Sequence, residues 1–288
     1  MSAFAEIPFG KYHGTGNDFL VIDAETYVAD RRGLALRECD RETGVGADGV
    51  LYLALEAQYN PPRVVMTLVQ PDGSTAPMCG NGARCAGQWA MDRTGSDEVM
   101  IDTQAGTRHA FREGDRIAVE MGEPTFDPRV VPMTADEPAI ETTIAGLEVT
   151  VVNTGVPHAV AFVDDVDSVD LEAVAKPVRH AETFPLGTNV TLARSDGEGG
   201  FRQRTFERGV EGETPACGTG AVAIAAVARR LGLIPAGDDR GDPEPIPVSP
   251  PGGDLEVAFD GETATLLGPV EHEFDGEVQS THFSSFDR

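Results

Sequence analysis

Two cysteines, Cys79 and Cys217, occur in matching sequence contexts in the two halves of the chain. Each stretch reads acid-Gly-x-Thr, a short spacer and then Cys-Gly-x-Gly-Ala, followed by an apolar run. Glycines after a cysteine allow backbone N–H groups to turn toward a bound anion, and a helix that begins there adds its partial positive charge. Such a position stabilises a thiolate, so we expect each thiol to have a pKa below about 8.5.

The two motifs together predict a chemistry that neither motif would support alone. If the thiols face each other across a cleft, one thiolate can remove a proton from a carbon atom while the opposite thiol delivers a proton to its other face. This geometry inverts a stereocentre and requires no metal and no organic cofactor. Because an amino-acid α-carbon is a weak acid, the anionic transition state needs fixed hydrogen-bond donors in a dry pocket. The other cysteines, Cys39 and Cys85, lack the glycines and are predicted to be structural.

The elements that must position these cysteines are mostly strands. Alternating and β-branched runs predict strands in both halves, and each half has one apolar helix that opens at its Cys-Gly pair. A pattern that recurs in this way indicates a duplicated domain. The helix after Cys217 is apolar on nearly all sides, which predicts that its sheet wraps around it. The second half also predicts a helix that ends near Pro177 and a Pro-, Gly- and Asp-rich loop over 235–253.

The chain is strongly acidic, with 48 acidic against 22 basic residues and a net charge of −26. Such a surface repels nucleic acid and anionic lipid, so neither is an expected partner. It is typical of a halophilic enzyme, because high salt screens the self-repulsion. No apolar run reaches the roughly 18 residues that span a membrane, and the first residues lack the features of a secretory signal. We therefore expect a cytoplasmic protein, and the absence of a C-x-x-C pair argues against a metal site.

Five motifs together make the chain similar to the diaminopimelate epimerase family. They are the cysteine motifs at 78–85 and 216–221, and the segments GTGNDF at 14–19, FPLGTN at 184–189 and FERG at 206–209. The resemblance extends from Lys11 to the acidic tail that begins at Gly268, which is nearly the whole chain.

The resemblance implies an isomerase that uses two cysteines and no pyridoxal phosphate. It would interconvert the LL and meso forms of 2,6-diaminopimelate in lysine biosynthesis. It also implies an α/β (α+β) fold of two homologous domains with pseudo-twofold symmetry, each a curled, mostly antiparallel sheet around a central helix. The expected domains are 1–123 with about 272–288, which carries Cys79, and 124–271, which carries Cys217. Members of the family are commonly homodimers, so a homodimer is expected.

The resemblance assigns site residues one by one. Cys79 and Cys217 match the base and acid pair, while His158 and Glu207 match residues that tune the thiol pKa values, one near each cysteine. The residues that match substrate contacts are Asn17, Gln70, Gly80, Asn81, Asn189, Glu207, Arg208, Gly218 and Thr219. Those beside the cysteines match the backbone that binds the reacting carboxylate. Those of the GTNV and FERG segments match the residues that hold the distal ammonium and carboxylate, for which an amide and a Glu-Arg pair are suited.

Three positions depart from the family pattern. Val156 stands where an asparagine is often found, Gln70 replaces another asparagine, and Gly49 stands where some members have a glutamine. All three changes concern substrate contacts and leave the cysteines in place. They therefore affect the expected substrate more than the expected reaction.

Three alternatives to this function remain open from the sequence. One is a racemase of proline or hydroxyproline, a group with the same fold and cysteine pair, although a proline site has no distal ammonium to hold with Asn17 and Asn189. The second is a non-catalytic protein that binds an amino acid in the cleft. The third is a redox protein with a Cys79–Cys217 disulfide, which we interpret as a route of inactivation and not as a function.

Overall fold

Two series of elements follow one another along the chain in the same order. The computed structural model describes residues 6–234 and 244–280. The first series consists of β1 (Glu6–Gly14), β2 (Asn17–Asp23), α1 (Arg31–Glu38), β3 (Gly49–Glu56), β4 (Arg63–Val69), β5 (Thr75–Ala76), α2 (Gly80–Thr94), β6 (Glu98–Thr103), β7 (Gly106–Glu113) and β8 (Arg116–Gly122). After β9 (Thr142–Ile144), the second consists of β10 (Leu147–Asn153), β11 (Pro157–Phe162), a short 3-10 helix (Val166–Ser168), α3 (Leu171–Arg179), β12 (Asn189–Ser195), β13 (Phe201–Glu207), β14 (Gly212–Thr214), α4 (Gly218–Leu231), β15 (Ile246–Ser249), β16 (Leu255–Asp260) and β17 (Thr263–Gly268). The final strand, β18, is Glu271–Gln279.

The strand pairing is the same in both series. The first strand pairs antiparallel with the second, the second parallel with the third, and the third antiparallel with the fourth. The fourth then pairs parallel with the strand that follows the cysteine-capped helix, and the last two steps are antiparallel. This one-to-one correspondence confirms the predicted α/β fold of two similar, mostly antiparallel halves.

The two halves join edge to edge, and the C-terminal strand completes the first half. Strands β8 and β17 pair antiparallel, so that one continuous ladder runs through both series. At the outer edge of the second series, β9 pairs antiparallel with β10. The equivalent edge of the first series is covered by β18, which pairs antiparallel with β1. The tail therefore returns to the beginning of the chain.

The helices α2 and α4 lie inside the curled sheet and share one hydrophobic core. That core contains Trp89 and Met91 from the first helix, and Val222 and Ile224 from the second. The apolar character of α4 on nearly all sides has the predicted consequence, since its residues from Gly218 to Ala228 are all buried. Each helix ends at a glycine in the left-handed conformation, which is the usual way to stop an α-helix.

Of two predictions about the second half, one is confirmed and one is wrong. Helix α3 ends at Arg179, near Pro177 as predicted, and it includes the proline because a proline in the last turn removes only one helical hydrogen bond. The predicted loop over 235–253 contains strand β15, whose Ile246 and Val248 are buried and alternate with an exposed Pro247. Residues 235–243 of that loop lie outside the described residues. Within 6–234 and 244–280, no helix is long and apolar enough to cross a membrane.

Candidate active site

Cys79 and Cys217 hold equivalent positions at the N-termini of the two central helices. Each is the N-cap residue and has an extended backbone. The Cys79 sulfur accepts a hydrogen bond from the Gly82 amide at 3.4 Å. Both cysteines line one cavity of about 520 Å³. The structure thus brings together the pair that the repeated motif predicted.

The two helix N-termini touch through their first glycines. A Cβ built on Gly218 would lie 3.3 Å from the Cα of Gly80, and one built on Gly80 would lie 3.4 Å from the Cα of Gly218. Both hypothetical Cβ atoms would also come within 2.7 Å of Leu266 Cδ2. A side chain at either position would therefore push the helices apart. The glycines allow two positive helix ends to converge on one small volume.

The cavity collects most of the residues that the sequence singled out. Besides the two cysteines, its lining includes Asn17, Gln70, Gly80, Asn81, Asn189, Glu207, Arg208, Gly218 and Thr219. Val156 also lines it, at the position where an asparagine was expected. Gly49 is not among the lining residues, and a Cβ there would lie 2.7 Å from Leu68 Cδ1. A side chain at this position would have to displace the tip of Leu68 and would lie 3.1 Å from the Val69 carbonyl oxygen.

The prediction that both thiols have a lowered pKa is wrong for this structure. Burial raises the pKa of Cys79 to about 12, and the nearby Glu207 adds to that rise against the opposing effect of the Gly82 amide. Burial raises the pKa of Cys217 well above its usual range, again with Glu207, while a contact to Thr219 opposes the rise. The loss of hydration raises each thiol pKa by more than the helix N-terminus lowers it, because dehydration disfavours the full charge of the thiolate.

Glu207 is placed to exchange a proton with Cys217. It ends β13, and its carboxylate accepts a hydrogen bond from the Thr214 hydroxyl. Burial raises the pKa of Glu207 to about 7, while hydrogen bonds from Thr214 and Cys217 oppose the rise. A carboxyl group with a pKa near neutrality can take up and release a proton under physiological conditions.

His158 does not line the cavity itself but contacts Thr219, which does, and its imidazole is neutral. Burial lowers its pKa to about 3, and the charge of Arg208 contributes. Its Nε2 lies 2.9 Å from the Thr219 hydroxyl, which in turn lies 3.4 Å from the Cys217 sulfur. Asn189 accepts from the Arg208 amide at 2.8 Å, so its NH₂ faces His158 Nε2 at 3.3 Å. Nε2 is thus an acceptor, and the ring proton lies on Nδ1.

Comparison with known proteins agrees with this geometry. The model of the family described as "Diaminopimelate epimerase" matches residues 9–127 and 150–273. The chain is 43% identical to the diaminopimelate epimerase of Methanocella arvoryzae over 285 residues, which cover 95% of this chain and 97% of that protein. It is 41% identical to that of Methanothrix thermoacetophila, with 92% and 93% covered. The chain belongs to the diaminopimelate epimerase family.

Solved structures of other proteins have a fold similar to that of this chain. A hydroxyproline epimerase from Agrobacterium vitis, crystallised with trans-4-hydroxy-L-proline, superposes with a TM-score of 0.67 at 18% identity and covers 97% of this chain and 93% of its own. A methylitaconate isomerase superposes with a TM-score of 0.64 at 13% identity, with both chains fully covered. These similarities support a fold that is shared by several isomerases.

The contacts of His158 and Glu207 differ from the arrangement expected for this family. The resemblance implies one of them at each cysteine, whereas in the described residues the hydrogen bonds of both lead to Cys217. Cys79 instead lies 3.8 Å from the side-chain oxygen of Asn17. The two thiols therefore have different surroundings, although their helices are equivalent.

Sequence reasoning missed several polar residues at the cavity or directly behind it. Asp48, Arg179 and Glu211 line it, and Arg84 lies buried beneath it. Arg179 comes from α3 and pairs with Glu211 at 2.6 Å. Asp48 and Arg179 lie outside both repeated stretches, and their approach depends on contacts between distant segments. The signals in the sequence are that Arg84 falls inside the first cysteine motif and that Glu211 is the acidic residue that begins the second repeated stretch.

Proposed function

We propose that this protein is a diaminopimelate epimerase, which interconverts the LL and meso forms of 2,6-diaminopimelate and so serves lysine biosynthesis. The observation that carries the proposal is the pair of cysteines at touching helix N-termini in one cavity, in a chain that belongs to this family. Such a site can reach one carbon atom from two faces while helix N-termini neutralise the carboxylate attached to it.

Cys79 and Cys217 are the proposed proton-transferring groups. One sulfur, as thiolate, removes the proton from the α-carbon, and the other, as thiol, delivers a proton to the opposite face. The reaction ends with the protonation states of the two sulfurs exchanged, so a return step must restore them. We assign the backbone of Gly80-Asn81 and Gly218-Thr219 to the reacting carboxylate, since negative charge grows there during proton removal.

The far side of the cavity is the proposed subsite for the distal end of the substrate. The Arg208 side chain donates only to the carbonyl oxygens of Leu186 and Gly187 among its contacts to described residues, and burial and nearby Arg179 lower its pKa. Its charge therefore lacks a carboxylate partner, which the distal carboxylate of the substrate would supply. Gln70, Asn189 and Glu207 complete the assignment of the distal subsite, and Asn17, whose side-chain oxygen lies 3.8 Å from the Cys79 sulfur, is assigned to a substrate contact beside that cysteine.

Isotope exchange tests the proposed function directly. The protein is incubated in D₂O with LL-diaminopimelate, and mass spectrometry follows deuterium at the α-carbon while chiral chromatography follows the meso form. We expect deuterium to enter together with inversion and without added pyridoxal phosphate. L-Proline and trans-4-hydroxy-L-proline are the control substrates. Exchange on either of them but not on diaminopimelate would overturn the proposal, and tight binding without exchange would indicate a binding protein.

Glu207 is expected to set the acidic limb of the pH dependence. Its pKa is raised to about 7, so the carboxylate that can accept a proton from Cys217 is lost as the pH falls through that value. We expect kcat/KM to rise through neutral pH in the wild type. In Glu207→Gln this limb should disappear and kcat/KM should fall by about 10²-fold or more, as for loss of a general base. An unchanged limb in the variant would assign the titration to another group.

The assembly and setting of the protein are also proposals. We propose a halophilic, cytoplasmic homodimer whose chain divides into 1–123 with about 272–288 and 124–271. The net charge of −26 supports the salt dependence, because mutual repulsion destabilises a compact acidic protein at low ionic strength. We expect Tm to be higher in 2 M than in 0.1 M KCl, by about 2–4 °C for each kcal/mol of repulsion removed. A Tm independent of salt, or the mass of one chain by light scattering in 2 M KCl, would contradict this proposal.

A further inference from the structure

Four polar side chains form a continuous hydrogen-bonded chain beneath Cys79. Asn17 Nδ2 donates to Asp48 Oδ2 at 2.7 Å. Asn81 Nδ2 donates to Asn17 Oδ1 at 3.3 Å, and Arg84 Nη1 donates to Asn81 Oδ1 at 2.9 Å. We call these four residues the Asp48–Arg84 chain. It connects a carboxylate in the cavity wall with a guanidinium that is fully buried.

The charges at its two ends fix the direction of every hydrogen bond in this chain. Both carboxylate oxygens of Asp48 act only as hydrogen-bond acceptors. Oδ1 accepts from the Arg41 guanidinium, and Oδ2 accepts from the Asp18 backbone amide and from the Asn17 side chain. The NH₂ group of Asn17 must therefore face Asp48. Arg84 has only donors, so Asn81 must turn its oxygen toward it. The Asn81 NH₂ group then donates to the Asn17 oxygen, and the Asn17 amide has only one orientation that satisfies both hydrogen bonds.

This orientation acts on both cysteines. It turns Asn17 Oδ1 toward the Cys79 sulfur, at 3.8 Å, where an oxygen can accept the S–H but repels a thiolate. It also directs Asn81 Nδ2 to the carbonyl of Ala216, at 3.2 Å, which is the residue before Cys217. The Asp48–Arg84 chain thus favours the protonated form of Cys79. It also connects α2 with the residue that precedes Cys217 at the N-terminus of α4.

We propose that Asp48 and Arg84 are positioning residues of the epimerase reaction, which through Asn17 and Asn81 set Cys79 as the proton donor of the free enzyme. The proposal rests on the proposed function, and it assigns the complementary role to Cys217. That thiol contacts Glu207, a carboxylate that can accept its proton, whereas the amide oxygen near Cys79 cannot.

The burial of Arg84 supports a role beyond stability. Its side chain is fully buried, its contacts are the uncharged Asn81 and Thr15, and its Nε has no hydrogen-bond partner among the described residues. Burial lowers its pKa to about 10. A buried guanidinium without a carboxylate is unfavourable, and an apolar side chain would pack here at lower cost. The protein nevertheless has a buried guanidinium at this position, where it orients the Asn81 amide.

Other charged groups around the chain must be considered in any test based on pH. Glu207, Arg84 and Cys217 face Cys79. Around Asp48, burial and the charge of Asp18 raise its pKa, while Asn17 and Arg41 oppose the rise. Lys11 pairs with Asp18 at 2.6 Å. Asp18 therefore offers a matched control, because it carries the same charge beside Asp48 but is not among the hydrogen-bond partners of the Asn17 side chain in the described residues.

The test compares Asp48→Asn with Asp18→Asn in the full-length protein. The rate of alkylation by iodoacetamide is measured from pH 6 to 11 at each cysteine by peptide mass spectrometry, where cleavage after Arg84 separates Cys79 from Cys85. In Asp48→Asn the carboxylate that holds the Asn17 NH₂ away from sulfur is lost, so only the hydrogen bond from Asn81 still opposes a turn of this NH₂ toward sulfur, where it stabilises the thiolate. We expect the apparent pKa of Cys79 to fall by about one unit, roughly the effect of one hydrogen bond to a charged group.

The control variants separate orientation from charge. Asp18→Asn should shift the Cys79 pKa by several-fold less, and in Asp48→Asn the Cys217 pKa should change less than that of Cys79. Equal shifts in both aspartate variants, or no shift in Asp48→Asn, would overturn the proposal.

A second pair of variants tests the other end of the chain. Arg84→Met should lower kcat by about 10-fold or more, and Arg84→Lys, which keeps a donor for Asn81, should recover most of that loss. Equal activity in the two would contradict the role of Arg84. Alkylation does not depend on the substrate, so a wild type that shows no exchange on diaminopimelate would refute the proposed function and leave this test intact.

Discussion

Replacement of either Cys79 or Cys217 by alanine should abolish the interconversion of LL- and meso-diaminopimelate. Each cysteine caps its own helix and faces the common cavity, so neither sulfur can take over the face served by the other. General acid or base catalysis contributes about 10²–10⁴-fold, and proton removal from a weakly acidic carbon leaves little background rate. We expect kcat/KM for inversion to fall by at least about 10³-fold in each variant. The measurement is chiral chromatography of both reaction directions.

Each single variant retains one sulfur, which gives the test a second readout. The remaining cysteine can still remove and return a proton on its own face, so deuterium should enter one stereoisomer without inversion. The isomer that exchanges in Cys79→Ala identifies the face served by Cys217. Cys85→Ala is the matched control, because Cys85 lies in the same helix as Gly80 but is fully buried away from the cavity. Inversion retained in either active-site variant would refute the two-thiol mechanism.

The architecture could be predicted from the sequence because the duplication is visible as repeated local sequence patterns. The repeated Cys-Gly-x-Gly-Ala motif, the all-round apolar helix after Cys217 and the turn residues between strands each depend on neighbours in the chain. Their placement at equivalent points in both halves then predicted the facing cysteines. Strand β15 was mispredicted because prolines and glycines indicate a loop locally, while the burial of Ile246 and Val248 against the rest of the fold decides the outcome.

The electrostatics of the site could not be read from the sequence. The glycines after Cys79 predict N–H donors, and the structure contains one at Gly82, but the degree of burial that reverses the pKa shift depends on the whole curled sheet. The same holds for Asp48 and Arg84. Their contacts with Asn17 and Asn81 join segments that only the folded chain brings together. Motif spacing predicts which atoms react, while their protonation depends on the tertiary structure.

Gly218→Ala should be among the most damaging substitutions outside the cysteines. The added methyl group would lie 2.7 Å from Leu266 Cδ2, 3.0 Å from Asn81 Oδ1 and 3.3 Å from the Cα of Gly80. Leu266 can move, but the backbone of the opposing helix N-terminus cannot, so the two helices must separate by several tenths of an ångström. Because both sulfurs have to reach one carbon atom, a small displacement is costly, and a misplacement of about 1 Å can lower the rate about 10²-fold.

The appropriate control is an alanine that meets nothing. Gly212 lies in β14, whose Thr214 lines the cavity, and a Cβ at Gly212 has no neighbour within 4 Å in the part of the chain that the structure describes. Gly212→Ala should therefore keep the wild-type kcat/KM, whereas Gly218→Ala should lose about 10²-fold, with the loss mainly in kcat. Gly80→Ala should behave like Gly218→Ala, because the contact is reciprocal. If Gly218→Ala retains full activity at an unchanged Tm, the close approach of the helix N-termini is not what aligns the two thiols, and a domain movement on substrate binding must supply the alignment instead.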